Sequence, residues 1–221
     1  NIDTYTFADS LMRAVQTKQT GVVWNGGSAS KVSIISGRGV LDAFGRNIAA
    51  YYPTTESYGN IGTYNTATGD LQAKTEYDTH DRTVSVTLAD GSTTKSNYSI
   101  VSHDGVPMLE TKVTDALGRT AESYTDGKGR NRETVQHAGG ENITVRYAYD
   151  PVNEVMTVTH PNGRETKYEY DQLGRKLMVS HPDAGETDMT YDAAGNLLTK
   201  LTAQLRKSIS DKGCITYTYD Y

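Results

Sequence analysis

Five histidines, 27 acidic residues and one cysteine are the side chains of this sequence that could carry chemistry. His80, His103 and His137 have no cysteine or second histidine at metal-ligand spacing. His160 and His181 each stand directly before a proline, in the same phase of two consecutive segments, which assigns them to turns rather than to metal or acid–base work. The carboxylates are numerous enough for two to reach glycosidase separation, yet nothing in the sequence gives a reason for a raised carboxyl pKa. Cys214 lies in no Cys–His pattern and no serine sits in a nucleophile elbow; a lone thiol also excludes an internal disulfide or a thiolate metal site. Gly26-Gly27 and Gly139-Gly140 lack phosphate-loop spacing and read as hairpin turns. The expectation is therefore no catalytic, cofactor or metal residue, and no enzyme.

The elements that carry these residues follow from composition. The chain has 221 residues with a formal charge of −5 and both signs interspersed, so the clustered basic stripe of a nucleic-acid binder is absent. Sixteen tyrosines and abundant threonine are strand composition. No apolar run approaches the roughly 18 residues of a membrane span, so membrane insertion is not expected, and Asn1 to Phe7 lack the regions of a signal peptide. The first residue is not methionine and Tyr219-Asp220-Tyr221 ends inside a motif, which reads as a segment of a longer polypeptide.

That motif is a repeat. Tyr149-Asp150, Tyr170-Asp171 and Tyr191-Asp192 recur 21 residues apart, with Tyr219-Asp220 a further 28 on. Before each tyrosine the alternation Val145, Tyr147, Tyr149, then Thr166, Tyr168, Tyr170, then Thr187, Met189, Tyr191 gives a strand with one aromatic or apolar face and one wet face. After each comes a five-residue Asp-x-x-Gly-Arg element, at Asp9–Arg13, Asp42–Arg46 with Gly45, Asp78–Arg82 after Tyr77, Asp115–Arg119 with Gly118, Asp126–Arg130 with Gly129, Asp150–Glu154, Asp171–Arg175 with Gly174, and Asp192–Asn196 with Gly195. The aspartate can accept an amide two residues on, and the fourth position needs positive φ. Asp81 and Asn153 tolerate that, whereas Met12 does not, so the Asp9 copy is expected to turn differently. With a second turn at His160–Gly163 and at His181–Gly185, each period of ~21 residues reads as two strands and two turns. The earlier copies are spaced 33, 36, 37, 11 and 24 residues apart, which points to insertions, and Tyr51–Gly69 reads as a long connection or a widened hairpin. The only helical candidates are Phe7–Gln16 and Ala203–Asp211.

Tyr170–Arg175 followed by Tyr191–Asn196 resembles the YD repeats of the Rhs family, which includes bacterial Rhs toxins, insecticidal toxin complex components and the teneurins. The resemblance is sharpest over Tyr149–Lys200 and looser over Ala8–His137. It implies an all-β fold: tandem hairpins forming an extended, curved antiparallel sheet, one stretch of a hollow shell that encloses another domain, in a secreted or cell-surface protein. The family's self-cleaving aspartates lie in a C-terminal core motif that this chain does not match, so no protease role is carried over. Residues 1–137 are expected to hold divergent repeats and 138–221 regular ones, within one continuous unit. The expected partners are further repeats and a C-terminal cargo domain of the same polypeptide, with a homodimer through open sheet edges as another arrangement. The alternative function is adhesion or carbohydrate binding on the tyrosine face, against a reading in which the tyrosines pack sideways as a ladder.

Overall fold

The computed structural model describes residues 2–67, 71–208 and 213–220. The chain divides into two compact units, Asn1–Ser96 with Thr114–Gly118 and Asn97–Val113 with Arg119–Tyr221. Both are built of antiparallel strands, as the alternation predicts.

In the first unit, β1 (Thr4–Ala8), β2 (Ala14–Asn25), β3 (Ser28–Ser36) and β6 (Thr54–Ser57) make a four-stranded sheet in that order. The intervening β4 (Gly39–Leu41) and β5 (Asn47–Tyr51) pair with each other, β5 pairs with β7 (Gln72–Tyr77), and β7 pairs with β8 (Thr83–Thr87). Phe7–Gln16 is not a helix: Phe7, Leu11 and Met12 mimic helical spacing, but Asp9–Arg13 is a turn joining β1 to β2. Tyr51–Gly69 is not a widened hairpin. It contributes β6 to the four-stranded sheet, and residues 58–67 then run against that sheet; 68 and 69 lie outside the described residues. There Asn65 donates its amide to Gln16 Oε1 at 2.8 Å and Lys18 donates to the Asn60 carbonyl at 3.0 Å while pairing with Glu56. Gln16 and Lys18 are each 1% exposed, and the loop supplies acceptors to the donors of both side chains.

The first unit also holds the start of β9 (Thr93–His103), which pairs with β8 from Thr93 to Lys95. In the second unit the chain continues through β10 (Val106–Thr114), β11 (Thr120–Thr125), β12 (Asn131–Ala138), β13 (Glu141–Tyr149), β14 (Val155–Thr159), β15 (Glu165–Tyr170), β16 (Lys176–His181), β17 (Gly185–Tyr191) and β18 (Leu197–Leu201). A short helix α1 (Ala203–Ser208) and β19 (Ile215–Thr216) follow. The Ala203–Asp211 expectation holds as far as Ser208, and 209–211 lie outside the described residues. From β11 to β19 each strand pairs with its sequence neighbour. Val145, Tyr147 and Tyr149 are half-buried while Arg146 and Ala148 are exposed, and the same alternation runs through β15. The fully buried apolar core is small, with Met108, Tyr124 and Val135 packed together against Val101.

Candidate functional site

Asp171 defines the repeated turn. Its amide donates to the Arg175 carbonyl at 2.9 Å and the Gly174 amide donates to the Asp171 carbonyl at 3.1 Å. Its Oδ1 accepts the amides of Leu173 and Arg175 at 2.9 and 3.0 Å, and its Oδ2 accepts Arg175 Nε at 2.6 Å. One carboxylate thus caps the turn and orients the arginine. A β-bulge between Glu169 and Tyr170 precedes it, as expected for a hairpin closed by a residue at positive φ. The same set of bonds occurs at Asp9, Asp42, Asp78 and Asp126. Amides and guanidinium favour the charged carboxylate. At Asp78 burial pushes the carboxyl up, but the Arg82 amide and guanidinium and the His80 amide outweigh it and bring it down to about 2.

The Asp9 copy does not turn differently. Met12 holds φ 62°, beside Asp81 at 62° and Asn153 at 76°, where other copies have glycine. The aspartate cap and the arginine are intact there, and those bonds hold Met12 in a left-handed conformation that costs a side chain about 1–2 kcal/mol.

The arginine also reaches forward. Arg46 Nη1 donates to Asp81 Oδ1 at 2.7 Å and to the Asp78 carbonyl at 3.3 Å, with its guanidinium 4.9 Å from the Tyr77 ring centroid. Arg130 contacts the Asp150 carbonyl at 3.3 Å and the Tyr149 ring at 5.2 Å. Arg175 contacts the Asp192 carbonyl at 2.9 Å and the Tyr191 ring at 5.0 Å. The tyrosine answers in the reverse direction, its hydroxyl donating to the carbonyl one residue past the previous arginine position: Tyr77 to Asn47, Tyr149 to Asn131, Tyr170 to Val155, Tyr191 to Lys176 and Tyr219 to Leu197, at 2.8–3.1 Å. Successive turns are therefore held by a two-way clasp of cation–π contact and hydrogen bonds.

Two copies lack the arginine. Asn196 keeps the bond to its own aspartate, Nδ2 to Asp192 Oδ2 at 2.9 Å. Glu154 places a carboxyl beside Asp150, and burial, with the Asp150 charge next, raises its pKa. Asp115–Arg119 keeps the turn, with Leu117 N to Asp115 Oδ1 at 2.9 Å and Gly118 N to the Asp115 carbonyl at 3.0 Å. It lies at the opposite end of β11 from Asp126–Arg130, so the 11-residue spacing is one strand rather than a hairpin.

The histidines at 160 and 181 are in turns. The His160 amide donates to the Arg164 carbonyl at 2.8 Å, and His181 Nδ1 accepts the amides of Asp183 and Ala184 at 3.1 and 3.2 Å. Gly26-Gly27 and Gly139-Gly140 close tight hairpins, with Asn25 opposite Ser28 and Ala138 opposite Glu141.

Sequence spacing gives no sign of one cluster in the second unit. His103 stacks on Tyr124 with ring centroids 4.0 Å apart and lies 3.2 Å from Glu133 Oε2. Glu122 takes Lys112 at 2.8 Å and the Tyr124 hydroxyl at 3.0 Å. Burial, together with the Glu122 and Glu110 carboxylates, pushes the Tyr124 hydroxyl far above its ordinary pKa. His103, Asp104 and Glu133 could approach one cation, but Arg146 Nε sits 2.7 Å from Glu133 Oε2 and supplies the positive charge. Glu122 and Glu133 are thus each paired with a cation, Lys112 and Arg146.

Hairpins joined by a periodic clasp define a tandem β-repeat sheet. Residues 149–186 match the family model described as RHS Repeat. No curated protein sequence matches it. The Tc holotoxin pore of Photorhabdus luminescens has a chain that superimposes with a TM-score of 0.70 at 16% identity, over 91% of this chain and 11% of its own length. The TcdB2-TccC3 crystal structure gives 0.72 at 17%, over 91% and 12%. TcdB2-TccC3 without its hypervariable C-terminal region gives 0.71 at 16%, over 91% and 11%. At this identity the fold is what is shared, and the chain spans about a tenth of each of these structures.

Proposed function

We propose that this chain is a non-catalytic stretch of β-sheet wall in a longer, secreted toxin-type polypeptide, where the wall encloses another domain of that polypeptide. The observation that carries the reading is the two-way clasp. It recurs at Arg46 with Tyr77, Arg130 with Tyr149 and Arg175 with Tyr191, so the sheet extends by adding repeats, and the repeated chemistry is spent on joining strands rather than on a ligand. Similarity of fold to chains of Tc toxin assemblies supports the same reading. Tyr149 and Tyr191 are engaged, with hydroxyls bound to backbone carbonyls and rings next to arginine, and carbohydrate binding is not proposed.

Native-state proteolysis of the complete polypeptide tests the proposal. A segment outside the repeats should resist cleavage, and become cleavable when Arg130 and Arg175 are both replaced by alanine. If no segment outside the repeats is protected, the wall encloses nothing and the proposal fails.

A further inference from the structure

The turn at His181 differs from the aspartate turns in the group that caps it. In Asp171–Arg175 a carboxylate oxygen accepts two turn amides. In the turn that joins β16 to β17, the imidazole Nδ1 of His181 takes that place, accepting the amides of Asp183 and Ala184. A carboxylate held low stays an acceptor through the neutral and mildly acid range, and hydrogen bonds from the Arg175 amide and guanidinium hold Asp171 low. An imidazole nitrogen accepts only while it is unprotonated, and histidine changes charge between about pH 5 and 8.

We propose that His181 is an acid-released latch: protonation at Nδ1 converts the acceptor into a donor, breaks both turn hydrogen bonds, and loosens the β16–β17 connection while the aspartate turns stay closed. The His160 ring lies edge-on to His181 with centroids 5.9 Å apart. His160 Nε2 is engaged with Thr166 Oγ1 at 2.8 Å and does not serve as an alternative cap. The other charged groups around the turn are Asp183, paired with Arg164, and Glu186 and Asp188, paired with Arg206 of α1. These carboxylates are each already matched by a guanidinium, and none replaces the lost acceptor at the Asp183 and Ala184 amides. Gly185, at φ 75°, faces Ala203 of α1 so closely that an added Cβ would lie 2.5 Å from the Ala203 Cβ. Loosening of the turn is therefore felt by the helix.

The test is amide exchange by NMR on the 221-residue chain, with imidazole resonances followed in the same samples from pH 8 to 5. As the His181 ring protonates, the protection factors of the Asp183 and Ala184 amides, corrected for intrinsic exchange, should fall about tenfold, the scale of a lost hydrogen bond. Those of Leu173 and Arg175 should not change. His181→Asn, which keeps a non-titrating acceptor, and His181→Asp, which restores the cap used elsewhere, should both remove the pH response, and His160→Ala should retain it. The proposal is overturned if the ring protonates without loss of protection, if it stays neutral to pH 5, if either His181 variant responds like the parent, or if the response disappears in His160→Ala.

Discussion

At the scale of single residues, the clasp separates into contributions that can be measured one by one. Replacing Tyr191 by phenylalanine keeps the ring under Arg175 and removes the hydroxyl bond to the Lys176 carbonyl together with a long contact to Met189 Sδ. The expected loss is about 1 kcal/mol in urea-unfolding free energy, with an unchanged m-value. Gly174→Ala forces a side chain into φ 79°, where its Cβ also meets Glu154 Oε1 at 2.8 Å, and should cost about 1–2 kcal/mol. Met12→Gly should move the same distance the other way, because the turn already holds Met12 in the left-handed region. If Met12→Gly is neutral, the strain assigned to that turn is wrong. Glu154 stands where other copies place arginine, and its pKa is raised in the folded chain. The folded state therefore binds this proton more tightly than the unfolded one, so its contribution is present below the ordinary glutamate value and is lost as pH rises through the folded value. Glu154→Arg should raise the melting temperature at pH 7 by supplying the missing bond to the Asp171 turn, with a smaller gain at pH 4. An equal gain at both pH values would count against this account.

At the scale of elements, the hairpin period, the bulged aspartate turn and the alternating face of β13 and β15 were legible because each depends on residues within a few positions of one another. The forward reach of arginine was not, since Arg46 and Asp78, or Arg175 and Asp192, meet only after the strands between them have folded. Phe7–Gln16 misled because Phe7, Leu11 and Met12 sit at helical spacing, while the aspartate cap at Asp9 decides the local structure. The entry of β6 into the four-stranded sheet was equally hidden, because it requires β4 and β5 to be passed over. The cluster around Glu133 is legible only from register: Tyr124 and Arg146 both stand opposite Glu133, on strands flanking β12. The turn carboxylates also set an acid limit. Asp78 falls to about 2 and Asp171 and Asp126 are lowered as well, so their stabilisation is complete above the ordinary aspartate value and is lost as pH falls through the folded ones. Circular dichroism should show the strands retained at pH 4 and disrupted as pH approaches 2.

At the scale of the molecule, strands from β11 onward touch chiefly their sequence neighbours, the condition under which stability becomes a sum over units and nearest-neighbour joints. Ending the chain after Asn196 should therefore leave amide protection in β11 to β13 unchanged, and a uniform drop across these strands would show long-range cooperativity instead. The clasp itself has a direction: arginine points to the following turn, tyrosine to the preceding strand. Where both halves are present, as at Arg46 with Tyr77, Arg130 with Tyr149 and Arg175 with Tyr191, the joint is assembled from two half-motifs contributed by neighbouring copies. A genetic crossover between two copies in matching phase would leave each joint complete while changing the number of copies, whereas a crossover out of phase would orphan both halves. The length of such a sheet is in this sense heritable in whole-period steps, open to gain or loss without a new contact having to be invented.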